Sequence, residues 1–192
     1  MGEHMIWTHG ANGAALRTLP PLATRWLSRW QRELAARSDA RGRPWWSLFR
    51  VDAARCDRPR VLWADLGRTP RATVVPAGNP LVPLNSCYVA ICRDEVDALA
   101  LTTLLNSPLV ISWLSSIAEP ARGSYHRFLG WTMSLLPIPR DWERARGILA
   151  FPGGNVLAEA ERPSSMELLE RSLEAYALRH ADVAPLLAWF TK

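Results

Sequence analysis

Between Asp94 and Pro120 the apolar residues recur at helical spacing, and the run is interrupted once, at Asn106-Ser107-Pro108. Asp94 suits a helix cap, and Val96, Leu99, Ala100, Thr103 and Leu104 follow at intervals of three and four up to Leu105. At the break, serine can cap a new helix. Proline fits its first turn, where no backbone donor is needed. The spacing therefore predicts two successive helices, the second carrying Leu109, Trp113, Leu114 and Ile117 on its stripe and closed by Pro120. Both stripes have to be buried by what surrounds them in the chain.

The flanking segments offer that cover. Val61 to Leu66, Ala72 to Pro76 and Leu84 to Arg93 are short β-branched or apolar runs separated by Gly and Pro, and they read as strands of a small sheet. Residues 5–18 suggest a short strand or hairpin. Pro20-Pro21 then opens a helix over about 21–37, with Leu22, Trp26, Trp30 and Leu34 on one stripe, filled in by Ala23 and Leu27. Arg25, Arg29, Arg32 and Glu33 form its other face, read as solvated in preference to phosphate-facing. Asp39 to Pro44 is a polar loop, after which Trp45 to Phe49 re-enters the core. Ala121 to Gly130 is ill-suited to a helix and reads as a loop, and Leu135 to Pro139 is a proline-locked extended strap. Beyond Arg140 come a Gly-containing linker at Pro152-Gly153-Gly154, a capping box Ser164-x-x-Glu167, and a helix with Met166, Leu169, Leu173 and Tyr176 on one face. A last short helix holds Leu186, Leu187 and Trp189. The expected fold class is α+β: a small mixed sheet flanked by helices, with a C-terminal helical tail. The expected organisation is a domain over 1–140 and a linker with helical tail over 141–192.

With 192 residues, 48% hydrophobic and 21% charged, the chain has the balance of a globular domain. Its apolar stretches fall short of the roughly 20 residues of a bilayer span. No basic segment followed by an apolar run opens the sequence, so a cytoplasmic location with no membrane partner is expected. Cys56, Cys87 and Cys92 have no Cys-x-x-Cys spacing and do not cluster with the four histidines, so no metal or disulfide framework is expected. The net charge of +5 is unevenly spread, with thirteen arginines against five acids between Arg17 and Arg71. Lys192 is the sole lysine, so the guanidinium supplies nearly all the basic chemistry. Genomic codon bias and selection for bidentate contacts to phosphates and bases explain that equally well.

Two ordered blocks resemble a known family. The first runs through Leu19-Pro20-Pro21, Arg29-Trp30-Gln31-Arg32-Glu33-Leu34 and Arg43-Pro44-Trp45-Trp46-Ser47-Leu48-Phe49-Arg50. The second runs through Pro59-Arg60-Val61-Leu62-Trp63, Asn85-Ser86-Cys87-Tyr88, Leu104-Leu105-Asn106-Ser107 and Leu136-Pro137-Ile138-Pro139. Their order is similar to that in the target-recognition domains of Taq-type adenine-specific DNA methyltransferases and the related fused restriction-methylation enzymes. Type I restriction specificity subunits share the Leu-Asn-Ser junction and the proline strap. The resemblance implies sequence-specific recognition of double-stranded DNA within a restriction-modification system. It also implies a methyltransferase catalytic module, in cis or in trans, that binds S-adenosylmethionine.

The catalytic motifs of that family are not found in the sequence. Gly78-Asn79-Pro80-Leu81 lacks the second proline and the aromatic of the catalytic tetrapeptide, and Pro152-Gly153-Gly154-Asn155 is a lone glycine pair without strand-loop-helix context. No catalytic, cofactor-binding or metal-binding residue is therefore assigned. Base-edge candidates are Arg122, Ser124, Tyr125, His126 and Arg127, polar side chains beside Gly123 in a predicted loop, together with Asn85. An exposed connector is the equal alternative for the loop. Phosphate candidates are Arg41, Arg43, Arg50, Arg68 and Arg71, with solvated surface the preferred alternative for Arg41, Arg43, Arg68 or Arg71 taken singly. His126 has no carboxylate or nucleophile near it in sequence, so DNA contact or simple exposure is preferred to acid-base work. Trp26, Trp30 and Trp113 are assigned to core packing rather than base stacking, and Trp45 and Trp46, on an extended segment, would point in opposite directions. A competing expectation is an adaptor that docks a methyltransferase subunit without reading bases.

Overall fold

The computed structural model describes residues 5–49, 51–151, 163–188 and 190. The chain divides into two compact units, Met1–Asp57 with Pro80–Val82, and Arg58–Asn79 with Pro83–Lys192. The change in composition near residue 140 does not coincide with a unit boundary.

In the first unit the expected hairpin is a tight turn. His9 bridges Ala15, and Leu16 N–H donates to Thr8 O at 3.0 Å. The predicted helix over 21–37 is present but broken into α1 (Pro21–Leu27), a 3-10 turn (Ser28–Trp30) and α2 (Gln31–Ala35). Thr24 and Ser28 hydroxyls donate to Pro20 O at 3.2 Å and Thr24 O at 2.6 Å, back-bonds of the kind that bend helices. The stripe does not face a core. No residue of α1 or α2 is buried, and Leu22, Trp26 and Trp30 are 81%, 54% and 56% exposed. Core packing is thus corrected for Trp26 and Trp30. The buried described residues of this unit are Thr8, His9, Ala40, Ser47 and Ala54, too small or too polar to face a tryptophan stripe. Trp45 and Trp46 are corrected as well. They occupy a turn, not an extended segment, and their rings meet edge-to-face at 5.3 Å and 82°.

The second unit holds two three-stranded sheets, both antiparallel, where the sequence suggests one mixed sheet. The α+β class itself is as expected. The first sheet has the order β3 (Thr73–Val75), β1 (Arg60–Ala64), β4 (Cys87–Ile91). As the central strand β1 is covered on both faces, which its run of Val, Leu and Trp suits. Trp63 lies opposite Tyr88, the rings stack at 6.0 Å, and Trp63 Nε1 donates to Phe128 O at 3.0 Å. The second sheet has the order β2 (Leu66–Gly67), β6 (Tyr125–Arg127), β5 (Glu119–Ala121). Backbone bonds from Phe128 N to Asp65 O (2.8 Å) and from Asp65 N to Ser86 O (3.0 Å) stitch the two sheets together.

The helices α3 (Glu95–Asn106) and α4 (Pro108–Ile117) break where the sequence puts the break. Asp94 accepts from Asp97 N at 2.9 Å and Ser107 Oγ from Leu109 N at 3.2 Å. Trp113 is half-buried and packs on the core, as assigned. Among the described residues no single helix is long and apolar enough to cross a membrane. Only α3 and α4 together pass by length and composition, and they are bent by 65°. Two short helices were not expected from the sequence, α5 (Gly130–Ser134) and α6 (Trp142–Leu149), the latter capped by Asp141 accepting from Arg144 N at 3.1 Å. The capping-box helix is α7 (Ser165–Tyr176), with Ser164 Oγ accepting from Glu167 N at 3.1 Å, and α8 (His180–Leu187) follows. Tyr176 donates its hydroxyl to Pro137 O at 2.6 Å, tying α7 to the proline strap. The glycine pair after Pro152 and Trp189 lie outside the described residues.

Helix α6 is bound to α3 by charge. Arg146 bonds Asp97 at 3.1 Å and also pairs with Asp94, while Arg93 spans Asp97 (3.2 Å) and Glu143 (2.9 Å). Trp142 Nε1 adds a bond to the Asp97 carboxylate at 2.9 Å. The Arg146 and Asp97 side chains are only 12% and 14% exposed, so losing one leaves the other poorly solvated. Arg146→Met keeps the aliphatic stem and removes the fork. It is expected to cost about 2 kcal/mol, seen as a fall of roughly 6 °C in melting temperature; an unchanged melting curve would show that the cluster is surface decoration.

Candidate nucleic-acid interface

Where a helix closed by Pro120 and a loop over Ala121 to Gly130 are expected, the segment from Glu119 to Arg127 is a β-hairpin. Gly123 (φ 75°) and Ser124 (φ 61°) both adopt left-handed backbone, which lets the short loop Arg122-Gly123-Ser124 reverse the chain. Pro120 is tolerated because β5 is an edge strand. The strand period of two then divides the candidates between faces. Tyr125 and Arg127 are exposed, and Arg127 lies opposite Leu66 on one side and Glu119 on the other, both exposed too. His126 turns to the opposite face, half-buried, its ring 6.3 Å from that of buried Phe128. Its Nδ1 is enclosed and has no hydrogen-bond partner among the described residues. The structure thus groups Arg122, Ser124, Tyr125 and Arg127 at one exposed hairpin and separates His126 from them.

Two other candidates come close through the backbone. Gly67 of β2 lies opposite His126, and Arg68 follows it in the bend that leaves β2. Asn85 is exposed in the turn before β4, next to Ser86, whose carbonyl holds Asp65 N. Arg71 is exposed on the loop into β3 and has φ 50°, a left-handed conformation that few arginines adopt. Arg41 and Arg43 belong to the other unit, and Arg50 lies outside the described residues.

Charge pairing separates structural arginines from available ones. Arg37, Arg55, Arg93, Arg146, Arg171 and Arg179 are in ion pairs with carboxylates. Arg60 is fully buried and donates to Asn79 O at 2.8 Å, which takes it out of any interface. Arg41, Arg43, Arg68, Arg71, Arg122 and Arg127 are exposed, and their guanidinium groups make no ion pair or hydrogen bond among the described residues. Arg29 stacks over Trp26 at 5.1 Å on the exposed helix.

One residue that the sequence marks only as part of a Leu-Asn-Ser junction proves to organise this region. Asn106, the last residue of α3, accepts from Ala72 N at 2.9 Å and donates to Ala72 O at 2.8 Å. The carboxamide stands in for a strand partner. The motif gave its position, but only the fold shows which backbone it meets.

In the first unit, Arg43 borders a cleft of about 460 Å³ with His9, Ser47, Phe49 and Asp52. A single tautomer satisfies the His9 contacts. Thr8 Oγ1 donates its proton to Trp46 O at 2.9 Å, so it must accept from His9 Nδ1–H at 3.0 Å. His9 Nε2 then accepts from Leu48 N at 3.4 Å. Burial, with the Arg43 charge adding to it, holds this imidazole below its ordinary pKa of 6.5.

The Cys92 thiol is pushed up to about 11 by burial, with Asp97 and Asp94 adding, so at neutral pH it is a poor nucleophile. Among the described residues no group of three His, Cys, Asp or Glu is placed to hold a metal ion. An apolar cavity of about 170 Å³ between α4, the strap and α8 is lined by Val110, Trp113, Leu136 and Leu186 among others, with almost no polar surface. No protein-family model matches the chain, and no characterised protein matches it.

Neutral His9 bonds two partners, the Thr8 hydroxyl through Nδ1 and the Leu48 amide through Nε2, and its protonated form cannot accept from the second. A histidine with a lowered native pKa binds fewer protons folded than unfolded, so its contribution is complete above 6.5, declines as the pH falls below that value, and levels off once the native group is also protonated. Thermal unfolding of the first unit is expected to come earlier at about pH 5 than at about pH 7.5, and His9→Gln is expected to flatten that dependence. An equal pH dependence in the variant would assign it to other groups.

Proposed function

We propose that this chain is the DNA-recognition module of an adenine-specific DNA methyltransferase or restriction-modification enzyme, acting on double-stranded DNA in the cytoplasm with a catalytic module in cis or in trans. The observation that carries the proposal is the β5–β6 hairpin, with exposed Arg122, Ser124, Tyr125 and Arg127. A two-stranded ribbon fits the major groove, and a guanidinium can bond guanine O6 and N7 together. Among the described residues Arg122 and Arg127 have no carboxylate partner to give up first. Tyr125 and Ser124 supply hydroxyls that donate or accept at base edges or phosphates. Arg68 and Arg71 supply positive charge at the neighbouring loop. No step of methyl transfer falls to residues of this chain; S-adenosylmethionine would be bound by the catalytic module.

A second reading is supported by the exposed Leu22, Trp26 and Trp30 face. Apolar side chains of that size left in water mark a surface that another protein covers, which an adaptor docking a methyltransferase subunit would need. The two readings differ in whether the chain reads bases, and a docking face of this kind serves either.

The test is selection of the whole chain on a randomised duplex pool at two salt concentrations. A defined motif is expected to be enriched, with affinity falling as salt rises. Arg122→Ala and Arg127→Ala are each expected to cost about 1 to 3 kcal/mol at one position of the motif, with the preference elsewhere retained. Binding without an enriched motif, or no salt-sensitive binding, would sink sequence recognition by this chain and leave the adaptor.

A further inference from the structure

We propose that the loop from β2 to β3 is a pre-set phosphodiester site built on Arg68 and Arg71, and that Asn106 is its positioning residue; this rests on the DNA-recognition reading above. The loop is anchored at Gly67, Pro70 and Ala72. At Gly67 a Cβ would lie 2.8 Å from Thr69 O, so only glycine lets the chain fold back this closely. Pro70 is buried, and its carbonyl accepts from Ala64 N at 3.3 Å. Ala72 is fully buried, and both its N–H and its C=O are taken by the Asn106 carboxamide at 2.9 and 2.8 Å. Arg71 lies between these two anchors, held at φ 50°.

That conformation strains an L-residue, and glycine or asparagine would adopt it more easily. An arginine there is explained if the anchored backbone sets the direction in which its side chain leaves the loop, because a pre-set loop need not be ordered on binding. The Arg71 side chain is exposed and has no partner among the described residues, and the same holds for Arg68, three residues earlier. Through the β2–β6 register the same loop adjoins the hairpin, with Gly67 opposite His126. Two exposed cations on an anchored loop beside a base-reading ribbon are placed to grip the backbone of the duplex whose groove the ribbon enters. Asn106 touches no ligand in this scheme. Its amide fixes the loop, as a second strand would if the sheet continued.

The experiment is a titration of the whole chain with a labelled mixed-sequence duplex, followed by anisotropy between about 50 and 200 mM salt. Arg68→Ala and Arg71→Gly are each expected to weaken binding about fivefold or more and to reduce the slope of log affinity against log salt by about 0.9. Arg71→Gly suits the left-handed backbone and should melt no lower than the parent, so it carries the test even if other variants fold poorly. Asn106→Ala keeps both guanidiniums. It is expected to weaken binding at least about threefold, to speed hydrogen exchange at the Ala72 amide, and to make Arg71→Gly cost less than it does in the parent. Fully additive losses would overturn the positioning role of Asn106. Salt-dependent binding by the parent with unchanged slopes in Arg68→Ala and Arg71→Gly would overturn the phosphate site alone. A parent chain without salt-dependent binding would overturn the recognition reading and this inference together.

Discussion

The junction of α3 and α4 has to satisfy its polar groups inside the core, and the rest of the second unit is arranged around how it does so. Ser107 is fully buried, yet its N–H reaches Leu104 O at 3.0 Å, its hydroxyl caps Leu109 N, and its carbonyl accepts from Ile111 N at 2.9 Å. Asn106 spends its carboxamide on the Ala72 backbone. A buried polar group without a partner costs about as much as a lost hydrogen bond, so the junction permits few alternative chain paths. The result fixes the end of α3 against the edge of the first sheet, and from there the loop that carries Arg68 and Arg71.

That constraint links core to surface. Phe128 is fully buried and its carbonyl accepts from Trp63, which sets the residue directly after β6. The Asp65 backbone accepts from Phe128 and donates to Ser86, so both sheets meet at one residue. The hairpin is therefore a short ribbon rooted in the core at one end and free at the other. Rigid roots with polar tips are what a recognition element needs, because ordering a flexible loop on binding costs free energy that a pre-formed one does not.

The first unit follows a different logic. Its buried positions are small or polar, its turn is held by the His9 relay to Thr8, Trp46 and Leu48, and its aromatic helix face is left in water. Arg25, Arg29 and Arg32 line the same helix, and Arg29 stacks on Trp26. A helix whose apolar stripe has no facing surface in its own unit gains little from that stripe until something covers it.

Local signals in the sequence were enough for the elements that depend on neighbouring residues alone. The break at Ser107-Pro108, the caps Asp94 and Ser164, and the three strands of the first sheet stand where their residues put them, because capping and strand alternation act over a few positions. The α+β class follows from those elements. The hairpin was hidden, since Glu119-Pro120-Ala121 and Tyr125-His126-Arg127 have no apolar alternation and become strands only by pairing with each other and with β2. Helix α6 was hidden likewise, because its hold on α3 is an ion cluster between residues about fifty positions apart. Trp26 and Trp30 had the spacing of a core stripe, but whether a stripe is buried depends on an opposing surface that no local pattern encodes. The Asn106-Ser107-Pro108 break was legible from the outset as a place where one helix must stop and another start; that Asn106 would turn to hold Ala72 was decided by the tertiary fold, which alone determines which unsatisfied backbone lies within reach.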